Sequence, residues 1–159
     1  MNRRNILTLS AIAAFGLPLL SNDNAVAQQS DIDAVKATSN AFYSAIAAFD
    51  NGASMQKIWA QTPYITFAGP RSKSFTVGWD ALEKYWVDTD KLFMERKASL
   101  SESRIHINGN LAWEVGQETG QVRMKDGSTR PVNHLVTRVY EKIAGRWLIV
   151  SHHAHPKPQ

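Results

Sequence analysis

Cysteine is missing from all 159 residues. Disulfides, thiol catalysis and cysteine-based zinc sites are thereby excluded, and the fold must be held by packing and non-covalent polar contacts. Long apolar runs are almost missing too: the single one, residues 6–20, is too short to cross a bilayer. No basic block or aromatic–basic interleaving occurs. A formal charge of +4 spread along the chain gives nucleic acid no footprint, so none is expected as a partner. Internal repeats and low-complexity segments are absent as well.

The start of the chain reads as a targeting segment. Arg3 and Arg4 precede the apolar run, and Ala25-Val26-Ala27 forms a small-x-small cleavage signal. Cleavage after Ala27 removes residues 1–27 as an export signal peptide and leaves 28–159 as one domain with one core. The order Arg3-Arg4-Asn5-Ile6-Leu7 suits twin-arginine as well as Sec export, and an uncleaved anchor is the alternative. The expected product is periplasmic or secreted, with no membrane segment after cleavage.

Helical spacing of Ile32, Val35, Phe42, Ile46 and Phe49 predicts a helix over 32–49, stopped by Asp50-Asn51-Gly52. A short helix over 54–59, an apolar strand over 64–68 and a third helix over 78–94 follow. Beyond these come strands over 98–107, 111–124, 129–140 and 146–155, separated by Asn-Gly, Asp-Gly and Ala-Gly turn signals. Helices first and then a long meander make an α+β plan: about three N-terminal helices packed on a curved, mostly antiparallel sheet.

The last strand holds three of the five histidines. Period-two alternation puts Trp147, Ile149, Ser151, His153 and His155 on one face. With two-residue turns at Asp126-Gly127 and a turn over 142–145, Thr119 and His153 both oppose His134. Trp113, Val115, Arg138 and Tyr140 then share that face, while Glu114, Glu118, Leu135 and His152 take the other. A single bulge would exchange the faces. His134 and His153, with Arg138 and Tyr140 beside them, are thus the candidate acid–base groups, because imidazole changes charge near neutral pH. Two further readings stay open: a structural role for His153 in the core, and a metal site made of His134, His153 and His155.

Several landmarks occur in a telling order. They are Asp50-Asn51-Gly52, Trp59-Ala60, Val77-Gly78-Trp79-Asp80-Ala81-Leu82 and Asn108-Gly109-Asn110-Leu111-Ala112-Trp113. Val136-Thr137-Arg138-Val139-Tyr140 and Gly145-Arg146-Trp147-Leu148-Ile149-Val150 with His153 complete the series. Together they resemble the SnoaL-like branch of the nuclear-transport-factor-2-like superfamily. The resemblance implies a cone-shaped fold, an apolar cavity between helices and sheet, and a homodimer. It spans isomerases, dehydratases, lyases and non-catalytic modules, so fold constrains function weakly. Ketosteroid-isomerase-like members place an acid at the end of the first strand, but Tyr64-Ile65-Thr66-Phe67-Ala68 has none. Their first-helix phenol would fall at Ala45 rather than Tyr43.

The expectation is a small apolar or aromatic ligand, and any chemistry would be cofactor-free and use histidine. The alternative is a binding or association module without chemistry. Tyr43, Trp59, Tyr64, Phe67, Tyr85, Trp86, Trp113 and Trp147 are the candidate pocket residues, and core packing is the competing reading for the tryptophans.

Overall fold

The computed structural model describes residues 22–158; most of the expected signal segment lies outside them, and Asn22 to Ala27 open the first helix. That helix, α1 (Asn22–Ala48), buries Val35, Ser39, Phe42 and Tyr43 along one side. It ends where Phe49, Asn51 and Gly52 adopt positive φ. The expected second helix is only a 3-10 turn, Met55–Lys57, anchored by Ser54 donating through its backbone N and Oγ to Asp50 Oδ2 at 3.0 and 2.6 Å. Among the described residues two α-helices, not three, therefore accompany the sheet. The other, α2 (Trp79–Asp90), stops short of 94, because Phe93 already belongs to a strand.

The strands are β1 (Thr66–Ala68), β2 (Thr76–Val77), β3 (Phe93–Asn108), β4 (Leu111–Met124), β5 (Thr129–Ile143) and β6 (Arg146–Pro156). They form one mixed sheet in the order β2-β1-β6-β5-β4-β3, antiparallel except where β1 runs parallel to β6. Trp59, Ile65, Leu82, Tyr140 and Ile149, each 1% exposed or less, fill the core between sheet and helices. Asp31 pins α1 to the sheet by accepting from Lys142 Nζ at 2.6 Å and from Trp147 Nε1 at 2.9 Å. The Lys142 hydrogen bond, then that of Trp147, holds the Asp31 carboxyl below its ordinary value.

Two registers differ from the expectation, and both differences move the site. The β4–β5 turn is longer than two residues: Arg123 pairs with Thr129, and Met124 N donates to Ser128 O at 2.8 Å. Glu118, not Thr119, therefore faces His134. The β5–β6 turn is the tight Ala144-Gly145 pair, with φ of 48° and 79°, closing Ile143 against Arg146. Further along, Ile149 pairs with Tyr140 but Ser151 with Val139, so Val150 is an extra residue on β6. This bulge reverses the alternation after Ile149. His152 and Ala154 turn inward, and His153 and His155 turn out to solvent.

Candidate active-site cavity

Inward residues of β4, β5 and β6 meet α1 and α2 around a cavity of about 700 Å³. Its deep wall is aromatic, with Phe42 from α1, Phe67 from β1, and Tyr85 and Trp86 from α2. Glu118, His134 and His152 are among its polar groups. Apolar walls with a few converging polar groups are what ligand sites generally show.

Behind the wall, fully buried Arg138 organises these groups. Its Nε donates to His152 Nδ1 at 3.0 Å, and its Nη1 donates to Ser39 Oγ at 2.9 Å. Nη2 donates to Tyr43 Oη at 2.5 Å and to Glu118 Oε1 at 3.3 Å. Glu114 lies 3.5 Å from Nη1 and accepts from Tyr140 Oη at 2.6 Å and Ser103 Oγ at 2.7 Å. One arginine thus serves two buried carboxylates whose other oxygens are also hydrogen-bonded, the condition under which buried charge is tolerated.

Burial works to raise the Glu118 carboxyl, yet it lies below its usual value. Its hydrogen bond with His134, the charge of Arg138 and the Tyr43 hydroxyl outweigh the lost solvation. Burial, then the Arg138 charge, pushes the His152 imidazole down to about 3, so this ring is neutral. It is sandwiched between Phe42 and Phe67, with ring centroids 5.0 and 5.2 Å away. Burial raises the phenols of Tyr43 and Tyr140 well above their normal range.

The candidates named from sequence are distributed unevenly. His134 borders the cavity, and its Nδ1 meets Glu118 Oε2 at 3.3 Å. His153 does not join it, because the β6 bulge puts that ring outside, 6.0 Å from Phe75. The three-histidine metal grouping fails for the same reason, with His134 inside and His153 and His155 exposed. Arg138 and Tyr140 sit behind the wall and do not border the cavity, so their influence runs through Glu118, His152 and Glu114.

Among the pocket candidates, Phe67, Tyr85 and Trp86 line the cavity. Tyr43 lies just behind it, donating to Glu118 at 3.0 Å. Trp59 and Trp147 are core residues. Tyr64 is exposed and donates to Glu141 at 2.7 Å. Trp113 stands on the outer sheet face, 42% exposed, against His106 at 4.2 Å. Glu118 and His152 went unnoticed as site residues. Trp147-Leu148-Ile149-Val150 is an unbroken apolar run, so the sequence carried no signal of the bulge that turns His152 inward.

The SnoaL-like domain family model matches residues 35–155, and the chain belongs to that family. No curated protein matches it. Among solved structures, a candidate dehydratase of the NTF2-like family from Streptomyces avermitilis is 16% identical, with a TM-score of 0.74, covering 82% of this chain and 99% of that one. A nuclear transport factor 2-like superfamily protein from Salmonella enterica is 21% identical, with a TM-score of 0.71 over 85% of this chain and 94% of that one. The association domain of C. elegans CaMKII is 21% identical, with a TM-score of 0.60 over 84% of this chain and 99% of that one. At such identities the likeness is one of fold.

Proposed function

We propose that this chain binds a small, largely apolar or aromatic molecule in its cavity and performs cofactor-free acid–base chemistry on it, of the isomerase, dehydratase or lyase type. One observation carries the reading: two imidazoles border the cavity, and the Nδ1 of one meets a carboxylate while the Nδ1 of the other meets a guanidinium. An ionised carboxylate only accepts, so Glu118 keeps the proton of His134 on Nδ1 and leaves Nε2 as a lone-pair base. A guanidinium only donates, so Arg138 keeps the proton of His152 on Nε2 and makes that atom a donor.

A substrate with an acidic C–H beside a carbonyl would lose its proton to His134 Nε2. The oxygen that gains charge would take a hydrogen bond from His152 Nε2–H, and Glu118 would stabilise the imidazolium. The proton then returns to another carbon or accompanies a leaving group. His134 does the work assigned elsewhere in the family to the acid missing from β1.

The Kemp probe 5-nitrobenzisoxazole tests for such a base. Proton abstraction from its C–H breaks the N–O bond and releases a coloured cyanonitrophenolate. His134→Gln is expected to slow this about 100-fold or more, with binding of 2-naphthamide, followed by tryptophan fluorescence, retained. Equal rates in both proteins refute the catalytic reading, and binding without turnover assigns the domain to the non-catalytic class.

The outer sheet face supports a homodimer as the working form. Trp113, Val115 and Leu135, 42%, 40% and 38% exposed, lie on neighbouring strands there, an apolar patch suited to a second copy. Trp113→Ser should lower the sedimentation coefficient towards that of a monomer; an unchanged value refutes this surface. Export with cleavage after Ala27 belongs to the same proposal. An intact N-terminus on the chain recovered from a Gram-negative host would contradict it.

A further inference from the structure

We infer that the molecule taken by this cavity is an anion: an aromatic body carrying a carboxylate that seats on Arg96 at the mouth while its far end reaches His134. This rests on the cavity reading above and supplies its substrate class. Arg96, on β3, borders the cavity although only 6% of it is exposed. Its Nη1 is spent on Asp90 Oδ1 at 2.8 Å and on the Ile46 carbonyl at 3.1 Å. Its Nη2 is buried with no acceptor among the described residues. Phe93 and Phe49 hold the guanidinium by cation–π contact, 4.3 and 5.0 Å from their ring centroids. Trp86 Nε1, in the same wall, is likewise a buried donor without an acceptor among the described residues, as is Trp59 Nε1 in the core. Interiors rarely leave such donors unmet, because each forfeits its hydration for nothing. An oxygen acceptor arriving with the ligand completes the two at the cavity.

Charge decides that this acceptor is an anion. Arg71, Arg130 and Lys157 form the exposed rim of the cavity. Arg71 and Arg130 make no ion pair among the described residues, and Lys157 donates to the neutral Gln117 Oε1 at 2.8 Å. Among the described residues the single acid in the lining, Glu118, is already engaged by Tyr43, His134 and Arg138. Asp88, in the adjoining recess, is held by Lys84 and Lys91. A mouth of one sign with low-dielectric walls draws in the opposite charge.

Register sets the length of the ligand. Glu118 pairs with His134, whereas Val122 pairs with both Arg96 and Arg130. These two rows are four residues apart on β4, about 13 Å of strand. The anionic end and the reacting end are therefore well separated, as a bicyclic or similarly extended carboxylate would require.

The test compares 2-naphthoate with the neutral, near-isosteric 2-naphthamide near neutral pH, by tryptophan fluorescence and calorimetry. Naphthoate should bind about tenfold or more tightly, and added salt should shrink its advantage. Arg96→Gln should abolish the preference. Should that variant fail to fold, the exposed double variant Arg71→Gln/Arg130→Gln should still reduce the preference and its salt dependence. Equal binding of the two probes, or a preference untouched in the double variant, overturns the anion assignment while the cavity reading stands. Binding of neither probe removes the cavity reading as well.

Discussion

Lowering the pH from 7 to 5 should remove about 2 kcal/mol of stability, most of it traceable to one imidazole, His152. Folding strips this ring of water, stacks it between Phe42 and Phe67, and turns its Nδ1 to the Arg138 guanidinium. Its value falls from 6.5 to about 3, so the native ring stays neutral where the unfolded one has taken up a proton. More protons on the unfolded chain means that stability rises with pH. His152 therefore costs nothing above its unfolded value of 6.5, and the loss grows as pH falls towards the folded value near 3.

At pH 5 the unfolded ring is about 97% protonated, which gives about 2 kcal/mol relative to pH 7, whatever the folded value is below 4. Urea denaturation at the two pH values measures it. His152→Asn keeps an acceptor near the Nδ1 position and cannot titrate, so the difference between the two proteins' pH slopes isolates the ring. A wild-type stability that is flat over this range, or a slope that survives in His152→Asn, would refute the neutral buried imidazole and with it the tautomer argument.

Three other perturbations probe the frame around the site. Arg138→Met leaves Glu114 and Glu118 buried without their counter-charge and should cost about 3–5 kcal/mol; an unchanged denaturation midpoint would mean that the network is not closed as described. At Gly120 the backbone has φ +147°, and a Cβ would lie 2.0 Å from the Lys97 carbonyl. Gly120→Ala should therefore lose about 2 kcal/mol or more, read from the urea midpoint, because β3 must move away. Asp31→Asn weakens the link from α1 to Lys142 and Trp147 by about 1 kcal/mol. Since the folded carboxyl is depressed, its contribution is present above the ordinary value of 3.8 and fades as pH falls below it. Thermal melts should show the variant's deficit at neutral pH and little of it in strong acid.

Composition and periodicity carried most of the architecture. The Asp50-Asn51-Gly52 stop ends α1 within a residue of the expected place, and β4 occupies the expected span. The missing cysteines, the α+β order and the family landmarks were all legible because they depend on local chemistry. Residues such as Ser54 to Trp59 misled because local helical preference was present but nothing extended it beyond one 3-10 turn.

What the chain order could not decide was which side chains meet. A turn of unexpected length between β4 and β5 brought Glu118 opposite His134, and one extra residue, Val150, exchanged His153 for His152 inside. Strand parity is a property of pairing, and pairing is decided by where the whole sheet finds its lowest energy against α1 and α2. Hence the residue types of the site were present in the linear code. Which two imidazoles face the cavity, and what each Nδ1 meets, came only from neighbours distant in sequence: Arg138, Glu118 and the aromatic wall.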